Sequence, residues 1–224
     1  MAKVKRTQDY LEELKSRSYP RYDELSGLYD KWKKELDIET FSRFLETVWE
    51  EIDNIKPKYL GINTYSNFRG IAFEEFCFDS SRGAINEAGV DGIVEPFWNQ
   101  KVVMEEFYIF DGSQFKVQRK YKAVDIVVGK SDKSESRLIH PFVIISCKVW
   151  QGTNWLDEDR AVFDSIRSRY PNVVGYSLCM SLNAPQVSLI SCQRTGLRVF
   201  DLSKDYEGFV EDMEKTLQSI SEVA

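Results

Sequence analysis

The chain has one histidine, His140, and four cysteines among its 224 residues. That lone imidazole, just before Pro141, leaves no histidine-based nucleophile and base to pair. Cys77, Cys147, Cys179 and Cys192 lie far apart and form no CxxC pair, which removes the usual zinc arrangements. They read as buried, reduced thiols of a cytoplasmic protein. A P-loop, a glycine-rich dinucleotide fingerprint and a nucleophile elbow are all missing. No small-molecule cofactor is therefore expected beyond a metal ion. Apolar runs such as Phe142–Ile145 are strand-sized, so no membrane span is expected. The opening MAKVKRTQDYLEELK has no apolar stretch behind its basic residues, unlike a secretory signal. Positive charge is also short, with a formal net charge of −6. That argues against a general nucleic-acid coat, yet it suits an enzyme whose carboxylates hold metal.

What is present divides into a helical opening and a mixed remainder. Phe41, Phe44, Leu45, Val48, Trp49 and Ile52 make one stripe of an amphipathic helix, and Leu25, Leu28, Tyr29, Trp32 and Leu36 make an earlier one. A weaker stripe surrounds Tyr10, Leu11 and Leu14. Lys56-Pro57-Lys58 is expected to end this region, because the residue before a proline is pushed out of the α conformation. After the Gly/Asn-rich stretch 61–67, a helix is expected from Phe68 to about Phe78. Val102–Phe110, Gln114–Gly129 and Phe142–Trp150 read as strands, with Asp111-Gly112 as a hairpin turn. The polar segment Lys130–His140 reads as a surface loop. A helix at Asp157–Tyr170, strands at Val173–Met180 and Leu197–Leu202, a short strand at Ser188–Cys192 and a helix at Asp205–Ile220 complete the pattern. The expected fold class is α/β, a mixed sheet covered by helices on both faces. Residues 1–60 are expected to form its helical subdomain, serving either a dimer interface or a DNA clamp, and 61–224 its core.

Two charges stand out in apolar strands. Alternation places Asp125 on one face of Val124–Val128, and Lys148 shares a face with Ile144 and Ser146. A charge inside an apolar strand needs a partner. If the two strands pair, Asp125, Ser146 and Lys148 converge; an internal salt bridge is the plainer alternative. In the preceding helix, Gly70-x-x-Phe73-Glu74-x-x-Cys77 sets Glu74 beside the packing face, where it can look over the sheet.

Together these residues resemble the PD-(D/E)XK nuclease superfamily, type II restriction endonucleases in particular, over roughly Gly70 to Leu202. The resemblance implies a Mg²⁺-dependent endodeoxyribonuclease that hydrolyses phosphodiester bonds of double-stranded DNA, as a homodimer on a short specific sequence. Other DNA-processing or repair nucleases, or an inactive binding module of the same fold, are the rival readings. Asp125 would be the main metal ligand, the Cys147 carbonyl a further one, Glu74 a supporting carboxylate and Lys148 the catalytic lysine. Ser146 stands where the family has its second acid. In the Ser-x-Lys subset the acid comes from the following helix, where Glu158, Asp159 and Asp164 are available. Glu158 is the first choice, with Glu74 as another source of the missing charge. Gln151, Thr153, Asn154 and Arg160 in the segment after Lys148, and Arg119, Lys120 and Lys122 upstream, are the expected DNA contacts.

Overall fold

The computed structural model describes residues 5–51, 55, 58–60, 62–131 and 139–221, with the backbone alone described for 62–67. The opening segment folds as α1 (Thr7–Ser16), α2 (Tyr22–Glu35) and α3 (Ile38–Glu50). Leu36 closes α2 in the left-handed conformation. Asp37 then caps α3, its carboxylate accepting the N–H groups of Glu39 (3.3 Å) and Thr40 (2.9 Å). The expected boundary at Lys56-Pro57, and Ile52 of the α3 stripe, lie outside the described residues. Of that stripe Phe41, Phe44, Leu45 and Val48 are buried, whereas Trp49 is exposed.

The next helix, α4 (Ile62–Glu87), is far longer than Phe68–Phe78. It takes in most of the stretch expected to be irregular and carries the helix on past Phe78, with Ser80 and Ser81 buried and bonded to the carbonyls one turn back. Around Trp32, edge-on contacts with Tyr29, Phe41, Phe44 and Phe76 join α2, α3 and α4. Glu75 is buried within this contact. It accepts hydrogen bonds from Tyr29 Oη (3.1 Å), Lys33 Nζ (2.6 Å) and the N–H of Thr7 (3.2 Å). Burial raises its pKa, but these donors outweigh burial and hold the carboxyl below its ordinary value.

The main sheet is mixed and five-stranded: β1 (Glu95–Phe110), β2 (Phe115–Ser131), β3 (Ile139–Lys148), β5 (Val174–Cys179) and β7 (Leu197–Asp201), side by side in that order. The first three are antiparallel, and β5 and β7 continue parallel to β3. A parallel pair between β4 (Gln151–Gly152) and β6 (Leu182–Asn183) lies beside it. Between these come α5 (Thr153–Arg169) and α6 (Gln186–Thr195), and α7 (Leu202–Ser221) follows β7. The stretch read as a short strand at Ser188–Cys192 is therefore part of a helix, α6. Its β-branched residues are few, and only Cys192 is buried. The hairpin turn forms as expected, with Asp111 Oδ1 accepting from the N–H groups of Ser113 and Gln114, each at 3.0 Å, and Gly112 at φ 94°. Of the polar segment after β2, residues 132–138 lie outside the described residues, and its flanks pair Lys130 with His140.

The sheet separates two cores. Ile126, Val128, Val143, Ile145, Tyr176 and Leu178 join the cluster that holds α1–α4 and α7. Val127 and Ile144 join Leu156, Phe163 and Ile166 of α5 on the other face. The result is the expected mixed α/β architecture. No helix among the described residues is long and apolar enough to cross a membrane. Glu75→Ala, which strands three donors at the junction of α1, α2 and α4, is expected to lower unfolding free energy by about 2–3 kcal/mol. Urea denaturation with an unchanged slope checks this.

Candidate active site

The antiparallel ladder between β2 and β3 ends at the pair Ile126 and Ile145. One residue further, a side chain takes over from the backbone: Asp125 Oδ2 accepts the N–H of Cys147 at 2.7 Å. The strands thus part at the point where Asp125 and Lys148 meet. Lys148 Nζ lies 3.4 Å from the same Asp125 oxygen, 3.2 Å from Ser146 Oγ and 3.4 Å from the Cys147 carbonyl oxygen. Burial alone would lower the lysine's pKa, but the charges of Asp125 and then Asp159 prevail, and it is raised.

Ser146 and Ser177 sit opposite each other across the parallel pair of β3 and β5. Both reach Asp159, on the second turn of α5. Asp159 Oδ1 accepts from Ser146 Oγ at 2.8 Å, and Oδ2 from Gln151 Nε2 at 2.8 Å and Ser177 Oγ at 2.7 Å. A further bond, Gln151 Nε2 to Ser177 Oγ at 2.8 Å, closes the group. What brings α5 close enough is Gly175: a Cβ there would lie 2.4 Å from the Phe163 ring, so the helix seats on a strand position without a side chain. Phe163 is one turn beyond Asp159 on that helix.

The sequence offers Glu158, Asp159 and Asp164 for the acid whose place Ser146 takes. Glu158, the first choice, is exposed although it borders the cleft, and its neighbour Asp159 makes the contacts. The difference is helical phase: one residue is a rotation of roughly 100°, and only Asp159 faces the two serines. Gln151 also differs from its expected place. It is fully buried, part of β4 rather than of a loop, and its amide serves Asp159, so it is not a surface contact for DNA. The helix after it begins at Thr153, four residues earlier than read. Thr153 and Asn154 are in its first turn, and Arg160 is engaged by Asp157 (3.2 Å) and Ser191. Arg119 and Lys120 are paired with Glu106 (2.9 Å) and Glu105 (2.8 Å) on the neighbouring strand. Lys122 lies on the wall of the cleft. Ser177 went unnoticed. Its only sequence trace is a hydroxyl within the otherwise apolar Val174–Cys179.

Glu74, on α4, is not among the residues that line the cleft with Asp125 and Asp159. Its Oε2 accepts from Trp98 Nε1 (2.8 Å) and Asn99 Nδ2 (3.3 Å). Burial raises its pKa against the pull of the Trp98 bond, and the charge of Asp125 adds to the rise. The guanidinium of Arg6 lies over the Trp98 ring, 3.6 Å from its centre. Asp125, Ser146, Lys148, Glu158 and Asp159 all line one cleft of about 580 Å³, open between β2, β3 and α5.

The donor atoms in reach of that cleft are carboxylate, hydroxyl and carbonyl oxygens. Among the described residues no three acidic, histidine or cysteine side chains are gathered at metal distance. Mg²⁺ commonly takes only one or two protein carboxylates and completes its shell with water and phosphate. Asp125 and Asp159, with the Cys147 carbonyl, are donors of that chemical kind, though in this structure Asp159 is engaged by three donors and Lys148 Nζ lies on Asp125 and the Cys147 carbonyl.

No protein-family model matches the chain, and no curated protein does. One similar solved structure is that of the native BbvCI A2B2 tetramer, at low resolution. It is 13% identical to this chain, covering 80% of it and 76% of that chain, with a TM-score of 0.35. A likeness so faint carries no functional argument. The chemistry rests on the site. Asp159→Ala, which leaves three donors without their acceptor, is expected to cost about 1–3 kcal/mol, whereas Glu158→Ala should stay within about 0.5 kcal/mol of the parent. Paired thermal-melting curves check the contrast.

Proposed function

We propose that the chain is a Mg²⁺-dependent endodeoxyribonuclease of the restriction-endonuclease type, hydrolysing phosphodiester bonds in double-stranded DNA. The observation that carries this reading is the convergence of Asp125, Lys148 and Asp159 at the parting of β2 and β3. Two carboxylates and an ammonium, all partly shielded from solvent, border one open cleft. An internal ion pair explains Asp125 and Lys148 alone. It does not explain a second carboxylate brought from α5 and held by Ser146, Gln151 and Ser177 on the same wall.

Asp125, Asp159 and the Cys147 carbonyl would hold the cation. Bound there, it would supply a hard positive charge beside the scissile phosphate and favour ionisation of the attacking water. The chain's own groups do the rest. The Cys147 N–H fixes the orientation of the Asp125 carboxylate. Lys148 brings an ammonium to where negative charge develops and a donor that can orient water. Ser146 transmits the position of Asp159 to Lys148, to which it is also hydrogen bonded. Glu74, held by Trp98, adds negative charge close enough to be felt at Asp125.

Plasmid or phage DNA incubated with Mg²⁺ is expected to yield discrete fragments, and sequencing of their ends identifies the site cut. Asp125→Ala and Lys148→Ala should each reduce cleavage by at least about 10³-fold with circular dichroism unchanged. Asp159→Asn should do likewise, and Glu158→Ala should cut as the parent does. A smear in place of bands supports a less selective nuclease. Intact DNA together with no Asp125-dependent Mn²⁺ binding points to a non-catalytic module.

A further inference from the structure

The outer half of the β1–β2 hairpin is an arm. Register pairs Ile126 with both Trp98 and Ile145, so Lys148 at the end of β3 is level with about Ala123. From there β2 runs back eight residues to Phe115 alongside β1 alone, projecting roughly 27 Å from the lip of the cleft. Phe107, Tyr108, Ile109, Phe110, Phe115 and Val117 on this arm are 44–70% exposed. Tyr108 pairs with Val117 and Phe110 with Phe115, whose rings are 5.2 Å apart, so these four share one face.

We infer that this arm is the surface through which the chain self-associates, its apolar outer half packing on the same arm of a second copy. Three observations support a protein occupant of that kind. On the face that Tyr108, Phe110, Phe115 and Val117 share, the apolar area left in water is on the order of 500 Å², at about 200 Å² for a large side chain. That is towards the upper end of what monomers expose in one patch and more than half of the roughly 800 Å² that one partner gives to a standard interface. Second, β1 is the edge of the sheet, and a long apolar edge strand is a template for another chain. The irregularity at Val103/Glu105 interrupts its inner part, but Glu105–Phe110 beyond it is regular. Third, the cations of the arm's outer half are paired within the molecule: Lys116 with Asp111 (2.6 Å), Lys120 with Glu105, and Arg119 with Glu106, which Arg169 also reaches at 3.1 Å, while Lys122 at the arm's base lies on the cleft wall. Phosphate contact needs unpaired cations, whereas a self-neutralised apolar arm suits protein.

The choice of a second copy over an unrelated protein rests on the nuclease reading, because cutting both strands of a duplex symmetrically takes two active sites. An arm rising from the cleft's lip would set two such clefts facing one duplex. A two-fold axis through the arms would bring the same side chains together from both copies.

Sedimentation velocity on the full chain, without DNA or metal, tests this independently of any cleavage. The parent is expected to sediment at twice the chain mass at micromolar concentration. Tyr108→Ser/Phe110→Ser/Phe115→Ser should shift it to the chain mass with unchanged far-ultraviolet circular dichroism. Val117→Glu, a single exposed change, should weaken association at least tenfold should the triple variant fail to fold. Trp49→Ser, on the exposed face of α3, should leave the dimer intact. A monomeric parent, or arm variants that stay dimeric, overturns the inference. So does a monomeric parent whose arm variants lose duplex retention, which assigns the arm to DNA instead.

Discussion

The backbone of β3 has one amide, that of Cys147, which finds its acceptor in a side chain where the sheet's ladder would have supplied a carbonyl. Asp125 provides it, and much of the site's geometry follows from that substitution. Because a carboxylate stands at that rung, β2 and β3 separate, and the gap between them becomes one wall of the cleft. Because the carboxylate is charged and half enclosed, it needs a cation, and Lys148 is the nearest residue able to give one. The same constraint acts on Asp159, which three neutral donors hold in place. Each charge in this region is answered by groups from a different element.

Those elements arrive by ordinary packing. α4 buries Phe73, Phe76 and Cys77 against the sheet and the opening helices, which brings Glu74 to the edge of the site. α5 buries Leu156, Phe163 and Ile166 on the opposite face and carries Asp159 with them. The opening helices do not touch the cleft, but they fix α4 through Glu75 and the aromatic group around Trp32. Thus both faces of the sheet contribute one acid apiece, and the strands contribute the pair between them.

Much of this could be read from the residues alone. Strand alternation placed Asp125 and Lys148 on a shared face because each interrupts an apolar run, a contrast that survives without any knowledge of neighbours. The helical stripes of α2 and α3 were similarly plain, apart from Trp49. Among the features that were not legible, three bear on the site. The extent of α4 was hidden because Gly61–Asn67 has the composition of a loop, yet most of it lies within the helix. The phase of α5 was hidden because its acids are consecutive, and only packing of Phe163 on Gly175 decides which one turns inward. Gln151 looked like a surface side chain because burying an amide makes sense only once Asp159 and Ser177 are known to be its partners. Such dependence on distant partners is what a single sequence conceals most completely.

Gly175 has a wider significance than the space it leaves for a phenylalanine ring. In a site whose acids all stand on neighbouring strands, sheet geometry alone sets their separation, and little can disturb it. Here one acid rides on a helix, so its distance from Asp125 is set by how deeply that helix is seated. Under the proposed nuclease reading, the tolerance of the chemistry is inherited from the core: a fraction of an ångström gained or lost beneath Phe163 is passed along one helical turn to Asp159. Selection on the reaction would then act upon residues that never meet a substrate.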